Sequence, residues 1–159
     1  MEDKKELFLK KILDHFESSQ KSLQQLDFRD FASRFYYGYI FLLDVVGIKR
    51  RGGWHKLNSY SFPSKTFERV YEELRIWRNR ADYEFHKGKS FSQDYEFHKD
   101  KSFSQFEEEF KEFLKNELIE HLNEEIKPLI ENEKSLSLSV KLILLKKLEG
   151  IIKWLKIMI

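Results

Sequence analysis

A chain of 159 residues, 41% hydrophobic and 16% aromatic, has room for one domain with a substantial aromatic core and not for two comfortable ones. A net charge of +2 does not mark a polyanion binder by bulk charge, so nucleic-acid binding would need a local basic patch. Cysteine is absent, which excludes disulfide frameworks, zinc knuckles and thiol nucleophiles.

The elements follow in chain order. Residues 1–11 alternate charges with Leu and Phe and lack the uninterrupted apolar stretch of a signal peptide. Residues 2–25 read as a first helix, with Leu7, Ile12, Phe16 and Leu23 near one stripe. Asp27 is the expected N-cap of a second helix over 28–46, with Asp30 in its first turn. That helix is apolar on most sides, through Phe31, Phe35, Tyr36, Tyr39, Ile40, Leu42, Leu43 and Val46, and so is expected at the centre of a bundle. Gly47 is its expected C-cap. Residues 49–62 read as a loop. A third helix begins after Pro63 and runs to about Tyr83, burying Phe67, Val70, Tyr71, Leu74 and Trp77.

Residues 82–93, DYEFHKGKSFSQ, are followed at once by 94–105, DYEFHKDKSFSQ, and eleven of the twelve positions match. This is a tandem duplication, too short and too few for a solenoid. Ser104 and Glu107 then form an expected capping box for a helix over 105–127, with Phe106, Phe110, Phe113, Leu114, Leu118, His121 and Leu122 on one face and Pro128 disturbing its end. Residues 135–159 read as a basic amphipathic helix with Lys141, Lys146, Lys147, Lys153 and Lys156, entered through a short extended stretch at 136–140. The longest C-terminal apolar run, 142–145, meets Lys146 and Lys147 at once, so no segment is expected to span a bilayer. The expectation is a cytoplasmic, all-α protein: an antiparallel helical bundle of four to five helices over 1–134, with an extra C-terminal helix over 135–159 packing on the bundle or on a dimer interface.

Two blocks carry a family resemblance. RNRADYEF at 78–85, together with RDFASRFYYGYIFLLDVVG at 29–47 and the intervening His55, resembles the HEPN domain. The likeness covers roughly Phe16 to Leu122, with the second twelve-residue copy as an insertion. It implies a bundle of four or five helices, usually dimeric. Many members are metal-independent ribonucleases acting as toxins or in defence, and others pair with a small nucleotidyltransferase. Their signature is an Arg, four to six further residues, then a His near the end of the third helix. Arg80 and His86, with five residues between them, fit it, whereas five positions after Arg78 stands Tyr83 where that form has His. The resemblance therefore implies Arg80, His86, Arg78 and Tyr83 as candidate catalytic residues.

The chemistry is coherent. A His near neutral pKa can take the proton of an RNA 2′-hydroxyl as it attacks the adjacent phosphate, and an Arg can stabilise the charge that develops. The competing reading makes the arginines ion-pairing residues at a helix end and His86 a solvated loop residue. Asp82 either orients an Arg or serves as a helix-end anion. Arg50 and His55 match the same spacing. With Arg51, Lys56 and Trp54 they form a basic loop that could bind RNA or a nucleotide, and Asn79 is counted with them. His86 and His98 repeat with their acidic neighbours, but duplication explains this without a metal, and no metal site or cofactor is expected. The functional expectation is a HEPN-type ribonuclease of a toxin–antitoxin or defence system. The alternative is a non-catalytic homodimer that docks a nucleotidyltransferase-type partner or binds a nucleotide. A third reading is a peripheral membrane protein held by the C-terminal helix.

Overall fold

The computed structural model describes residues 2–48, 62–84 and 103–159. Among the described residues five helices run alternately up and down: α1 (Glu2–Gln24), α2 (Phe28–Val45), α3 (Lys65–Asn79), α4 (103–132) and α5 (Leu138–Met158). No strand occurs among the described residues, and the protein is an all-α helical bundle.

The caps follow the sequence closely. Asp27 accepts from the Asp30 amide at the start of α2. At its end the Ile48 amide reaches Leu43 O and the Gly47 amide reaches Asp44 O, with Gly47 at φ 93°. This is the Schellman closure that a glycine permits. The same closure ends α1, where the Asp27 amide reaches Ser22 O and Leu26 takes φ 59°. A leucine there is strained, because its Cβ crowds the carbonyl. Ser64 caps α3 by accepting from the Phe67 amide.

The core is aromatic. Phe16 and Phe35 stack at 5.4 Å, Phe31 lies 5.2 Å from Phe35, and Trp77 meets Phe106 edge-on at 5.4 Å. Such pairs each add about 0.5–1.5 kcal/mol beyond area burial. α2 lies at the centre, and the residues that the pattern assigned to its buried face are all buried.

α4 runs further than its pattern suggested. It comprises Phe103–Phe113, a π-helical Leu114–Leu118, Ile119–His121, a second π-helical Leu122–Ile126, and Lys127–Asn132. Phe106, Phe110, Leu114, Leu118, Leu122, Ile126 and Ile130, spaced strictly by four, are all buried. On a 3.6-residue helix a four-residue step drifts about 40°, which would carry this stripe well around the cylinder. The two π segments, with their wider turns, take that drift out and keep the stripe on the core. Pro128 does not end the helix: it follows the second wide turn and is the second residue of Lys127–Asn132, where its missing N–H costs least. At the other end the helix starts at Phe103, so Ser104 lies inside the first turn rather than ahead of it.

α5 begins directly after its N-cap Ser137, which accepts from the Val140 amide, so the entry at 136–140 is not extended. It buries Leu144, Leu148, Ile151, Ile152 and Leu155 against α1 and α4. It runs parallel to α1, as Lys147 beside Glu17 and Gly150 beside Gln20 show. Leu7, expected on the α1 core stripe, is half exposed. It stands five positions before Ile12, a step that turns it about 140° away. Among the described residues no helix is long and apolar enough to cross a membrane.

Candidate functional site

The third helix ends in a wide turn. Beyond Asn79 the chain continues through a π-helical Arg80–Glu84, so the block that carries the resemblance is also where the helical register changes. Isolated π turns are often found at functional sites, although α4 contains two that serve packing.

Arg78 is 8% exposed and turned to α2, its guanidinium carbon 5.1 Å from the Tyr36 ring and 5.5 Å from the Tyr37 ring. Its Nη1 lies 3.4 Å from Asp82 Oδ2, one turn on. Burial alone would favour its neutral form, but Tyr37, Tyr36 and Asp82 outweigh burial and raise its pKa, so it stays charged. Its Nε is buried without a hydrogen-bond partner.

Arg80 is also 8% exposed but faces α4. Its guanidinium carbon lies 4.5 Å over Trp77 and 5.5 Å over Phe106, and Glu109 stands 3.7 Å away. Residues two apart on a helix do not share a face, so the two arginines diverge. Tyr83 is 45% exposed, and Asn79 and Asp82 are partly buried.

Beside Arg78 a polar notch of about 280 Å³ opens between the α1–α2 corner and the π turn, lined by Asp27, Arg29, Asp30, Ser33, Ala81 and Asp82. Arg29 Nε donates to Ala81 O at 2.6 Å, tying the start of α2 to the end of α3. Asp30 accepts from Ser22 at 2.5 Å and pairs with Arg34 at 3.3 Å. The two blocks of the resemblance, 52 residues apart at this bond, therefore meet in space.

His86, Arg50, Arg51 and His55 lie outside the described residues, as do Trp54, Lys56, His98 and most of the duplicated block. No cluster of three or more His, Cys, Asp or Glu residues able to hold a metal ion occurs among the described residues.

Two polar clusters escaped the sequence reading of function. His121, 2% exposed, accepts or donates at both nitrogens: Nε2 lies 2.7 Å from Tyr39 Oη and Nδ1 lies 2.7 Å from Glu125 Oε1. Glu125 Oε2 accepts from Ser64 at 3.1 Å, so this chain links α2, α4 and the cap of α3. The i, i+4 spacing of His121 and Glu125 was visible in the sequence, but Tyr39 was not a foreseeable partner.

The second cluster joins Glu73 of α3 to Glu117 of α4, with Arg69 paired to Glu117. Burial, a hydrogen bond with Glu117 and the charge of Glu117 push the Glu73 carboxyl up to about 7, against the opposing charge of Arg69. The folded state holds this proton to near neutral pH, whereas the unfolded chain releases it near 4.5. Its contribution to stability is therefore present at acid pH and lost as pH rises through about 7. A Glu73→Gln variant, which cannot titrate, is expected to gain a few tenths to about 1 kcal/mol over wild type at pH 8 and almost nothing at pH 5. Urea titrations at the two pH values check this, and an equal change at both would contradict it.

No family model matches the chain, and no solved structure matches it. An uncharacterized protein of Methanocaldococcus jannaschii is 31% identical over 80 residues, which are 48% of this chain and 50% of the relative. The chain thus spans about half the length of the curated relative it matches.

Proposed function

We propose that this chain is a HEPN-type protein that cleaves RNA without a metal, from the end of α3. The observation that carries the reading is the convergence of the two blocks on which the resemblance rests. Arg78 stacks on Tyr36 and Tyr37, and Arg29 bonds Ala81. In this reading His86 takes the 2′-hydroxyl proton and Arg80, with five residues between it and His86, stabilises the phosphorane, with Arg78, kept charged by its surroundings, as a second cation. Packing on Trp77 and Phe106 holds the Arg80 guanidinium in place at the start of the π turn. Tyr83, 45% exposed, contacts RNA. The homodimer, the nucleotidyltransferase-type partner and the toxin–antitoxin or defence context belong to the same proposal, as does a basic loop at Arg50, Arg51 and His55 that grips RNA.

The expected result is cleavage of single-stranded RNA by the full chain in EDTA. His86→Ala and Arg80→Ala are expected to lose about 100-fold or more in rate. Arg80→Lys, which retains a charge, and thermal melts of each variant separate loss of chemistry from loss of fold. Intact RNA, with the wild-type protein folded, sinks the reading.

The burial of both guanidinium groups, each residue 8% exposed, favours a second reading: a non-catalytic module that docks a partner or binds a nucleotide. That reading expects uncleaved RNA, a stoichiometric partner, and binding indifferent to His86→Ala.

A further inference from the structure

The polar notch between the α1–α2 corner and the π turn carries balanced charge. Of its lining residues Asp27, Asp30 and Asp82 are carboxylates and Arg29 is a cation. Arg34 pairs with Asp30 at 3.3 Å, and Arg78 lies 3.4 Å from Asp82. Three guanidinium groups thus offset three carboxylates. A phosphate is repelled by the carboxylates of the wall, and a cation meets carboxylates that arginines already hold. The ligand that suits the notch is neutral, polar and rich in hydrogen-bond donors, because most of the lining polar atoms are acceptor oxygens.

Part of that hydrogen-bonding capacity is unfilled. Asp27 caps α2 through Oδ1, which accepts from the Asp30 amide at 3.0 Å, and its Oδ2 has no partner among the described residues. The Ser33 hydroxyl has none there either. Behind Asp82 the Arg78 side chain is nine-tenths buried, yet its Nε lacks a hydrogen-bond partner. Arg78 is also the second cation of the proposed cleavage site, so the notch lies where a base beside the cut phosphate comes to rest. Single-stranded RNA is read in this way, through the edges of bases turned out of the stack.

The four bases differ in what they present. The Watson–Crick edge of guanine carries two adjacent donors, N1–H and the N2 amino group, which match a carboxylate, beside an O6 acceptor that matches an arginine. Adenine and cytosine each offer one amino group next to an acceptor nitrogen. Uracil offers one N–H between two carbonyls, which a carboxylate repels.

We propose that the notch is a recognition pocket for guanine, with Asp27 accepting from N1–H and the N2 amino group and Arg29 donating to O6. That this guanine belongs to the nucleotide at the cut rests on the cleavage reading; the base contacts themselves do not.

Calorimetric titration of the full chain with nucleoside 3′-monophosphates tests the pocket without any cleavage. Guanosine 3′-monophosphate is expected to bind about tenfold or more tighter than the adenosine, cytidine and uridine forms. The inosine form, which lacks only the N2 amino group, is expected to fall by about tenfold as well. Asp27→Asn keeps a cap of equal quality on α2 and is expected to bring guanosine down to the level of inosine. Ser33→Leu fills the notch and is expected to weaken guanosine binding by a similar factor, with thermal melts showing that both variants fold. Equal binding of the five nucleotides overturns the proposal, as does a guanosine preference that both variants leave untouched. RNA cut alike at every base, together with equal binding, overturns the pocket and leaves the cleavage reading standing. Uncut RNA with the guanosine preference intact sinks the cleavage reading and supports the pocket as a site for a free guanine nucleotide.

Discussion

Replacing His121 by alanine is expected to lower folding stability by about 3 kcal/mol, the sum of two lost hydrogen bonds and a ring-sized cavity. The imidazole is buried between Tyr39 and the edge of Phe67, 4.6 Å away, and bridges Tyr39 to Glu125. The neutral tautomer with its proton on Nδ1 satisfies both contacts: it donates to the Glu125 carboxylate and accepts from the Tyr39 hydroxyl. Burial lowers the pKa of His121 below 6.5, and the opposing pull of Glu125 does not undo this.

The sign follows from which state binds the proton. Between 6.5 and the lower folded value the unfolded chain is protonated and the folded one is not. Stability is therefore full above 6.5 and is lost as pH falls below it. His121→Phe fills the volume but removes the titration. It is expected to cost less than His121→Ala and to show a flatter loss of stability from pH 7.5 to pH 5 than wild type. The difference between wild type and this variant isolates His121 from His15, whose pKa is also lowered, by burial and by Arg34. Urea titrations at several pH values give the comparison, and parallel pH profiles would contradict it.

The second large effect concerns where α1 and α2 touch. A Cβ on Gly38 would lie 2.7 Å from Phe16 ring atoms and 3.1 Å from His15 Cβ. Phe16 is fully buried and stacked on Phe35, so its ring has nowhere to retreat. Overpacking of this kind costs about 1–3 kcal/mol, and alanine recovers up to about 1 kcal/mol through helix propensity. Gly38→Ala is therefore expected to destabilise by about 1 kcal/mol, and the bulkier, branched Gly38→Val by about 3 kcal/mol or more. Gly150 supplies the contrast. Its Cβ would meet only the end of the Gln20 side chain, at 2.9 Å, which can swing aside. Gly150→Ala is expected to stabilise by about 0.5–1 kcal/mol. Thermal melts decide both, and a stabilised Gly38→Ala would mean that the helices slide apart at little cost.

The helical pattern was legible because each helix buries a face whose spacing is set by its own geometry. α2 could be placed at the centre from its apolar girth alone, and Asp27 and Gly47 from their chemistry as caps. The extent of α4 was less legible. Its four-residue stripe departs from an α-helical period, and only the packing reveals that wide turns absorb the mismatch and carry the helix past Pro128. Leu7 was assigned to the α1 stripe although its five-residue separation from Ile12 already points it elsewhere.

At the candidate site the divergence of Arg78 and Arg80 was implicit in their spacing of two. Which of them would stack on Tyr36 and Tyr37 was not, because that contact joins residues far apart in the chain. The same holds for Arg29 and Ala81, and for Tyr39 and His121. Local sequence shows what a residue can do, and the crossing of helices decides whom it meets.

The central claim is a 2′-hydroxyl attack carried by an imidazole and a guanidinium. The chemical ends of the RNA products test it most directly. Mass spectrometry of fragments made in EDTA is expected to show 2′,3′-cyclic phosphates and 5′-hydroxyls, with no cut at a position carrying a single 2′-deoxy substitution. Uncut RNA, or fragments ending in 3′-hydroxyl and 5′-phosphate, would contradict the account.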